Sequence, residues 1–108
     1  MSGAVPQISL GDLSQFRVAI ISASWHEQIC ADLIAGARKA LDSAKIKPEP
    51  VIYVPGSFEL PLAAQLALDS GFDAAVVLGV VLRGETPHFD YVCQGVTQGI
   101  MQVSLSRS

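Results

Sequence analysis

Apolar and polar residues alternate along this chain in blocks that predict three strands and three helices. Short runs rich in β-branched or other apolar residues are typical of buried strands, and they lie at residues 17–22, 51–54 and 73–82. The third run is apolar on both faces, as expected for the middle strand of a parallel sheet. Helices are predicted between and after the strands, at residues 26–44, 57–70 and 88–105.

The first predicted helix is amphipathic. Its apolar positions, which recur at three- and four-residue steps, are Cys30, Leu33, Ile34, Ala37, Ala40, Leu41 and Ala44. In the second helix, Ser57 can act as the N-cap, Pro61 is tolerated in the first turn, and Gly71 ends the helix. In the third helix, Gly95 and Gly99 lower helix propensity, so we expect a face packed closely against another helix, with a subunit interface as one option.

The order of elements is β-α-β-α-β-α, and parallel strands joined by crossover helices give a three-layer α/β/α sandwich. Ligands in such sheets bind beyond the carboxyl ends of the strands. This rule selects three loops as candidate site segments, at residues 23–25, 56–59 and 83–88.

Composition narrows the class of protein. A chain of 108 residues, half of them hydrophobic, suits one domain comprising residues 1–108. The formal charge is −3 without a basic cluster, so nucleic acid is not an expected partner, and the apolar run at residues 74–82 is too short to span a membrane. The N-terminus does not resemble a secretory signal. Cys30 and Cys93 have no metal-ligand spacing with either histidine, so we expect no metal site and reduced thiols in a cytoplasmic protein.

Two residues in the candidate loops have both a structural and a functional interpretation. Trp25 follows the first strand, where it either packs or stacks on a flat heteroaromatic ring. His26, next to it, is interpreted as a solvated residue of the first helical turn. Glu59 either interacts favourably with a helix N-terminus or accepts hydrogen bonds from sugar-like hydroxyls.

The third loop combines a possible anion site with a histidine. Gly84, Glu85 and Thr86 precede a helix N-terminus, whose free amides attract anions, although many strand–helix turns share this pattern. His88 follows directly. It either caps the helix or transfers protons as a neutral imidazole, because a helix N-terminus disfavours the protonated ring.

Three segments resemble one known family, lumazine synthase, also called the riboflavin synthase β chain. They are SASWHEQIC at residues 22–30, VPGSFELP at 54–61 and LGVVLRGETPHFDYVCQGVTQG at 78–99. The resemblance covers about residues 16–105, and residues 1–15 form an N-terminal arm. It implies a flavodoxin-like parallel sheet.

The resemblance also implies a reaction and a set of roles. Members of the family join 5-amino-6-ribitylaminouracil to 3,4-dihydroxy-2-butanone 4-phosphate to make 6,7-dimethyl-8-ribityllumazine, without a cofactor. By this resemblance His88 moves protons and Trp25 stacks on the uracil ring. The remaining implied contacts are Ser57, Phe58 and Glu59 to ring and ribityl chain, Val80, Val81 and Leu82 to the pyrimidine, and Glu85 and Thr86 to the phosphate.

The resemblance further implies a homopentamer or an icosahedral shell of sixty subunits, with riboflavin synthase as a candidate partner. Compared with the family, this chain is expected to be truncated: it lacks the last strand and helices, including a phosphate-binding arginine that Arg107 does not match. We therefore expect a weak phosphate site. The alternatives are a non-catalytic remnant that binds a flavin- or pteridine-like ring, and a protein that only assembles.

Overall fold

A computed structural model describes residues 5–108, and it contains a three-stranded parallel sheet with helices on both faces. The strands are β1 (Val18–Ala23), β2 (Ile52–Val54) and β3 (Ala74–Leu78). The helices are α1 (Glu27–Ser43), α2 (Leu60–Asp69), which follows a 3-10 turn at Ser57–Glu59, and α3 (His88–Ser106). The order of elements is as predicted. The strand order is β2-β1-β3, which is consistent with a flavodoxin-like fold.

The three layers follow from the alternation of side chains along β1. Ala19 and Ile21 point to one face, where they pack against α2 and α3. Val18 points to the other face and packs with Ala44 and Ile46, at the end of α1 and just beyond it. Because β1 is buried at all six positions, it is the centre of the molecule.

Within the described residues the third strand has a neighbour on one side only, whereas its two apolar faces predict a middle strand. Among residues 5–108, β3 pairs only with β1 and lies at an edge, and most of its residues are partly exposed. The strand is also shorter than predicted, since it ends at Leu78 rather than at residue 82. Leu78 pairs with Ser22, and β1 ends one residue later, at Ala23. Residues after Leu78 therefore have almost no neighbouring strand with which to form hydrogen bonds.

Helix ends and faces show two smaller differences. Ser57 does not act as a cap, because its hydroxyl donates to the carbonyl of Val80 (3.5 Å) and the segment begins with a 3-10 turn. The buried stripe of α1 is narrower than predicted, since Leu33 and Ala40 are exposed. Gly71 does follow the end of α2 with φ of 109°, a conformation that glycine adopts at low cost.

The amino end of the sheet is held by polar contacts around Arg17. Its backbone N–H donates to a carboxylate oxygen of Asp73 (2.8 Å), and its guanidinium donates twice to Glu49 (2.7 and 3.0 Å). The guanidinium also lies over the ring of Phe72, 4.3 Å from the centroid. These contacts tie the starts of β1 and β3 to the segment that leads into β2.

This ion pair makes stability depend on pH. The hydrogen bond from Arg17 lowers the pKa of Glu49 below its ordinary value of 4.5. The contribution of the pair is therefore fully present above pH 4.5 and is lost as the pH falls through the lower pKa of the folded state. We expect the thermal midpoint of Glu49→Gln to fall less between pH 7 and about pH 3 than that of the unmodified chain. Glu27→Gln is the control, because Glu27 forms no ion pair within residues 5–108. If the thermal midpoint fell equally between the two pH values in both variants, the prediction would be contradicted.

Residues 5–108 contain no helix that is long and apolar enough to cross a membrane. The same part of the chain holds no cluster of three or more His, Cys, Asp or Glu side chains that could bind a metal ion. Cys30 and Cys93 are both free thiols, the first buried and the second half-buried.

Candidate functional site

A cavity of about 580 Å³ opens where the three strands end. The segments after β1, β2 and β3 each form part of its wall, and the start of α3 completes it. Eight of the ten predicted site residues line it: Trp25, Ser57, Phe58, Glu59, Val80, Val81, Leu82 and His88. Its other lining residues are Gly56, which belongs to the predicted loop at residues 56–59, and His26, Pro55, Tyr91 and Val92, which were not predicted as site residues.

Trp25 forms one wall of the cavity and is 69% exposed. Its backbone carbonyl accepts a hydrogen bond from the Cys30 thiol (3.4 Å) at the start of α1. Its indole packs on the backbone of Gly56, where an added Cβ would lie 3.6 Å from Cδ1. Because most of the indole surface is free, packing within this chain does not account for the residue, and a flat ring could stack on it.

His26 has a left-handed backbone, with φ of 59° and ψ of 58°. It is the N-cap of α1 rather than a first-turn residue, and its side chain makes no capping hydrogen bond. This conformation costs a non-glycine residue about 1–2 kcal/mol. Such strain is common at functional sites, although Lys45, which does not line the cavity, also adopts it (φ of 63°). The turn reverses the chain directly after Trp25 and places both side chains at the cavity. The only feature of the sequence that could have indicated His26 as a cavity residue was its position next to Trp25.

The 3-10 turn after β2 brings a carboxylate and an aromatic ring to the cavity. Glu59 accepts a hydrogen bond from the backbone N–H of Gly56 (2.9 Å), which orients its carboxylate. Phe58 is 60% exposed, whereas Ser57 is buried. This turn therefore supplies one acidic group and one ring edge on a short, internally bonded segment.

Residues 80–82 contribute backbone to the cavity wall, and of their peptide groups the Val80 carbonyl accepts one long hydrogen bond, from the Ser57 hydroxyl (3.5 Å). They lie beyond the end of β3, and none of their peptide groups forms a backbone–backbone hydrogen bond to another part of residues 5–108. Free N–H and C=O groups next to apolar walls are typical of sites that recognise the polar edge of a heterocycle. The shortening of the predicted strand is thus what makes these groups available.

The start of α3 supplies the remaining wall. His88 is the first residue of the helix, and Tyr91 and Val92 follow at spacings that place all three on one helix face. The backbone N–H of His88 donates weakly to the Thr86 hydroxyl (3.4 Å). Reading α3 at three- and four-residue steps from His88 could have identified Tyr91 and Val92 from the sequence.

Glu85 and Thr86, expected at the phosphate, do not line this cavity. Both are exposed in the loop before α3. Arg83, in the same loop, lies over the ring of Phe89 (4.4 Å) and 3.7 Å from Asp90. The structure therefore brings the residues that were predicted to contact a ring together with His88. Glu85 and Thr86, which were predicted to contact a phosphate, lie outside the cavity.

Arg107 lies away from the cavity. Its guanidinium donates twice to the carboxylate of Asp69 (3.1 and 3.2 Å), which joins the ends of α3 and α2. This role is structural.

The fold and the cavity define a parallel α/β protein whose site combines a free indole, an oriented carboxylate, peptide groups without backbone partners and one helix-start histidine. The model of the 6,7-dimethyl-8-ribityllumazine synthase family matches residues 15–108. The chain belongs to this family.

Curated relatives named 6,7-dimethyl-8-ribityllumazine synthase match nearly the whole chain. The protein of Streptomyces coelicolor is 50% identical over 106 residues, and that of Streptomyces avermitilis is 51% identical over 106; each match covers 97% of this chain and 66% of the relative. The protein of a Nocardioides species is 48% identical over 109 residues, covering 100% of this chain and 68% of the relative. The chain therefore spans about two thirds of the length of these relatives.

Proposed function

We propose that this chain acts as a 6,7-dimethyl-8-ribityllumazine synthase, a transferase of riboflavin biosynthesis. In this reaction 5-amino-6-ribitylaminouracil condenses with 3,4-dihydroxy-2-butanone 4-phosphate, with release of phosphate and water. The observation that carries the proposal is one cavity lined by Trp25, Glu59 and His88, in a chain about half identical to relatives of that name.

The walls of the cavity suit the uracil substrate. The indole of Trp25 stacks on the ring, and the peptide groups of residues 80–82 that have no backbone partner bind its polar edge. Glu59, held by Gly56, accepts hydrogen bonds from ribityl hydroxyls, and charge-assisted bonds of this kind are short and directional. Ser57 and Phe58 complete the ring side. Glu85 and Thr86 bind the phosphate from the adjoining loop through backbone amides, with the Glu85 carboxylate turned outward.

His88 transfers protons between the two substrates. The nucleophile is the amine of the uracil substrate, which attacks the ketone and forms an imine with loss of water. His88 removes a proton from the attacking nitrogen and returns one to the departing oxygen. It then removes a proton from the carbon next to the imine as the C–O bond to phosphate breaks, and the resulting enol becomes a ketone. Attack of the ribityl-bearing nitrogen on this ketone closes the second ring and releases a second water. Because both reactants carry their own reactive groups, alignment in the cavity supplies much of the remaining acceleration. No cofactor is required.

The test is turnover by the purified chain. Both substrates are mixed with the protein, and formation of the lumazine is followed by its absorbance. Formation well above the uncatalysed rate, with saturation in both substrates, supports the proposal. Binding of the lumazine without any turnover would reject it in favour of the second candidate below.

Trp25 is expected to provide much of the ring affinity. Trp25→Ala should weaken lumazine binding by about tenfold or more, because a large aromatic contact is lost. Trp25→Phe should retain most of the affinity, since it keeps a stacking face. Equilibrium dialysis with the lumazine measures both. Equal losses in the two variants would show that the indole does not act by stacking.

A second candidate function is ring binding without catalysis, because Glu85 and Thr86 lie outside the cavity. In that case the chain would bind a flavin- or pteridine-like ring through Trp25, Phe58 and Glu59. Quenching of the fluorescence of Trp25, which is the only tryptophan, detects such binding directly. Quenching by the lumazine in the absence of turnover is the outcome that favours this candidate.

We further propose that the chain forms a homo-oligomer in the cytoplasm, as a pentamer or an icosahedral shell, with riboflavin synthase as a candidate partner. Large apolar side chains that are more than half exposed support association, among them Leu62, Leu66, Met101 and Leu105. The two free thiols suit a reducing compartment. Sedimentation velocity tests the oligomer, and a purely monomeric boundary would contradict it.

A further inference from the structure

The 3-10 turn at the cavity is packed on backbone that carries no side chains. An added Cβ on Gly79 would collide with the Ser57 hydroxyl. An added Cβ on Gly95 would collide with Cε1 of Phe58 and lie 3.1 Å from its Cδ1. The contacts with the Ser57 hydroxyl and with Cε1 of Phe58 are closer than real Cβ atoms tolerate, so the turn occupies space that exists only because glycine is present.

One face of α3 carries both the proposed proton carrier and this contact. His88, Tyr91 and Val92 line the cavity, and Gly95 follows seven residues after His88, on the same face. Gly99 continues the face, and an added Cβ there would lie 2.6 Å from Cγ of Pro61. The face thus runs from the cavity wall at His88, through Phe58, to the start of α2.

Phe58 lies between Gly95 and the cavity. Its ring touches the helix at Gly95, yet it is 60% exposed and is part of the cavity wall. A side chain at position 95 would push the ring away from α3, and the space on its free side includes the cavity. The expected consequence is a cavity wall that moves inward on the side facing Trp25 and His88.

We propose that Gly95 is a positioning residue, which sets the place of the Phe58 ring and thereby the width of the cavity available to a bound ring. This inference rests on the proposed function, because it assigns the cavity to a flat heterocycle. Gly95 itself touches neither substrate. It acts through Phe58, by allowing the 3-10 turn to lie against the helix that carries His88.

The test compares Gly95→Ala with Gly99→Ala. Both variants place one methyl group on the same helix face, gain the same helix propensity and collide with a neighbouring side chain. We expect Gly95→Ala to weaken lumazine binding by about tenfold, as for loss of one well-placed aromatic contact. The lumazine affinity of Gly99→Ala should stay within about twofold of that of the unmodified chain, because the side chain that the new methyl group displaces, Pro61, does not line the cavity. Equal affinities in the two variants would overturn the proposal.

A second measurement does not depend on a ligand. The chain has four phenylalanines, and in protein labelled with fluorophenylalanine the Phe58 signal is identified by its absence in Phe58→Leu. The fluorine resonance of Phe58 should move in Gly95→Ala and stay in place in Gly99→Ala; an unmoved resonance in Gly95→Ala overturns the proposal. If the unmodified chain does not bind lumazine, the proposed function fails, and this resonance alone decides the role of Gly95.

Discussion

Replacing His88 with Ala is expected to slow lumazine formation by about a hundredfold to ten-thousandfold, the usual contribution of a positioned general acid–base group. Lumazine affinity should stay within about threefold, because Trp25, Glu59 and residues 80–82 remain in place. The imidazole is a group at the start of α3 that can both accept and donate a proton. Steady-state rates together with equilibrium dialysis separate the two effects.

The matched control is the other histidine of the cavity. His26→Asn removes the second imidazole while keeping a residue that tolerates the left-handed backbone at this position. We expect it to retain lumazine formation within about threefold, since His26 has no assigned proton to move. If His26→Asn slowed lumazine formation as much as His88→Ala, the result would contradict the assignment of proton transfer to His88. An unchanged rate in His88→Ala would remove that residue from the mechanism.

The order of the elements and the parallel direction of the strands could be predicted from the sequence, but the position and burial of each strand in the sheet could not. Apolar runs that alternate with helical patterns predicted three strands, three helices and a parallel sheet. The apolar run at residues 73–82 was nevertheless interpreted as the middle strand, whereas β1 is central and fully buried. A strand that is apolar on both faces indicates that helices pack on both faces of the sheet. It does not show how many strands lie beside it.

The site could be predicted because of one geometric rule. The carboxyl ends of parallel strands meet at one edge, so the loops after β1, β2 and β3 had to converge whatever their individual residues suggested. That rule brought together Trp25, Glu59 and His88. Tyr91 and Val92 were missed because they belong to a helix rather than to a loop, although their spacing from His88 implied a shared face.

Other features depended on atomic contacts that a sequence pattern does not contain. The left-handed backbone of His26 could not be predicted from the residue type, because histidine is enriched in this conformation but still adopts it at only a small minority of positions. The glycines of α3 predicted a close approach, which the structure confirms within the chain, at Phe58 and Pro61. The sequence pattern could not indicate which segment of the chain packs against these glycines. That segment includes Phe58, which also lines the cavity, and this connects the packing of α3 to the cavity.

The site and the core are therefore parts of one packing arrangement. The elements that carry Phe58 and His88 rest on a buried cluster made by one face of β1 with α2 and α3. Ile21 lies at the centre of this cluster and is fully buried. In the sheet it pairs with Ile52 of β2 and with Val77 of β3, so it is in contact with every strand. A change at Ile21 should affect both the stability of the fold and the geometry of the cavity.

Ile21→Ala is expected to lower the free energy of unfolding by about 2–5 kcal/mol, because it removes buried methyl groups and leaves a cavity that rigid neighbours fill only in part. Domains are commonly stable by roughly 5–15 kcal/mol, so the loss is a large fraction of the total. Urea denaturation followed by circular dichroism measures it. Ile29→Ala is the control, because Ile29 is 48% exposed on α1 and should change stability by about 0.5 kcal/mol or less. Similar losses in the two variants would mean that the face of β1 directed toward α2 and α3 is not the core of this protein.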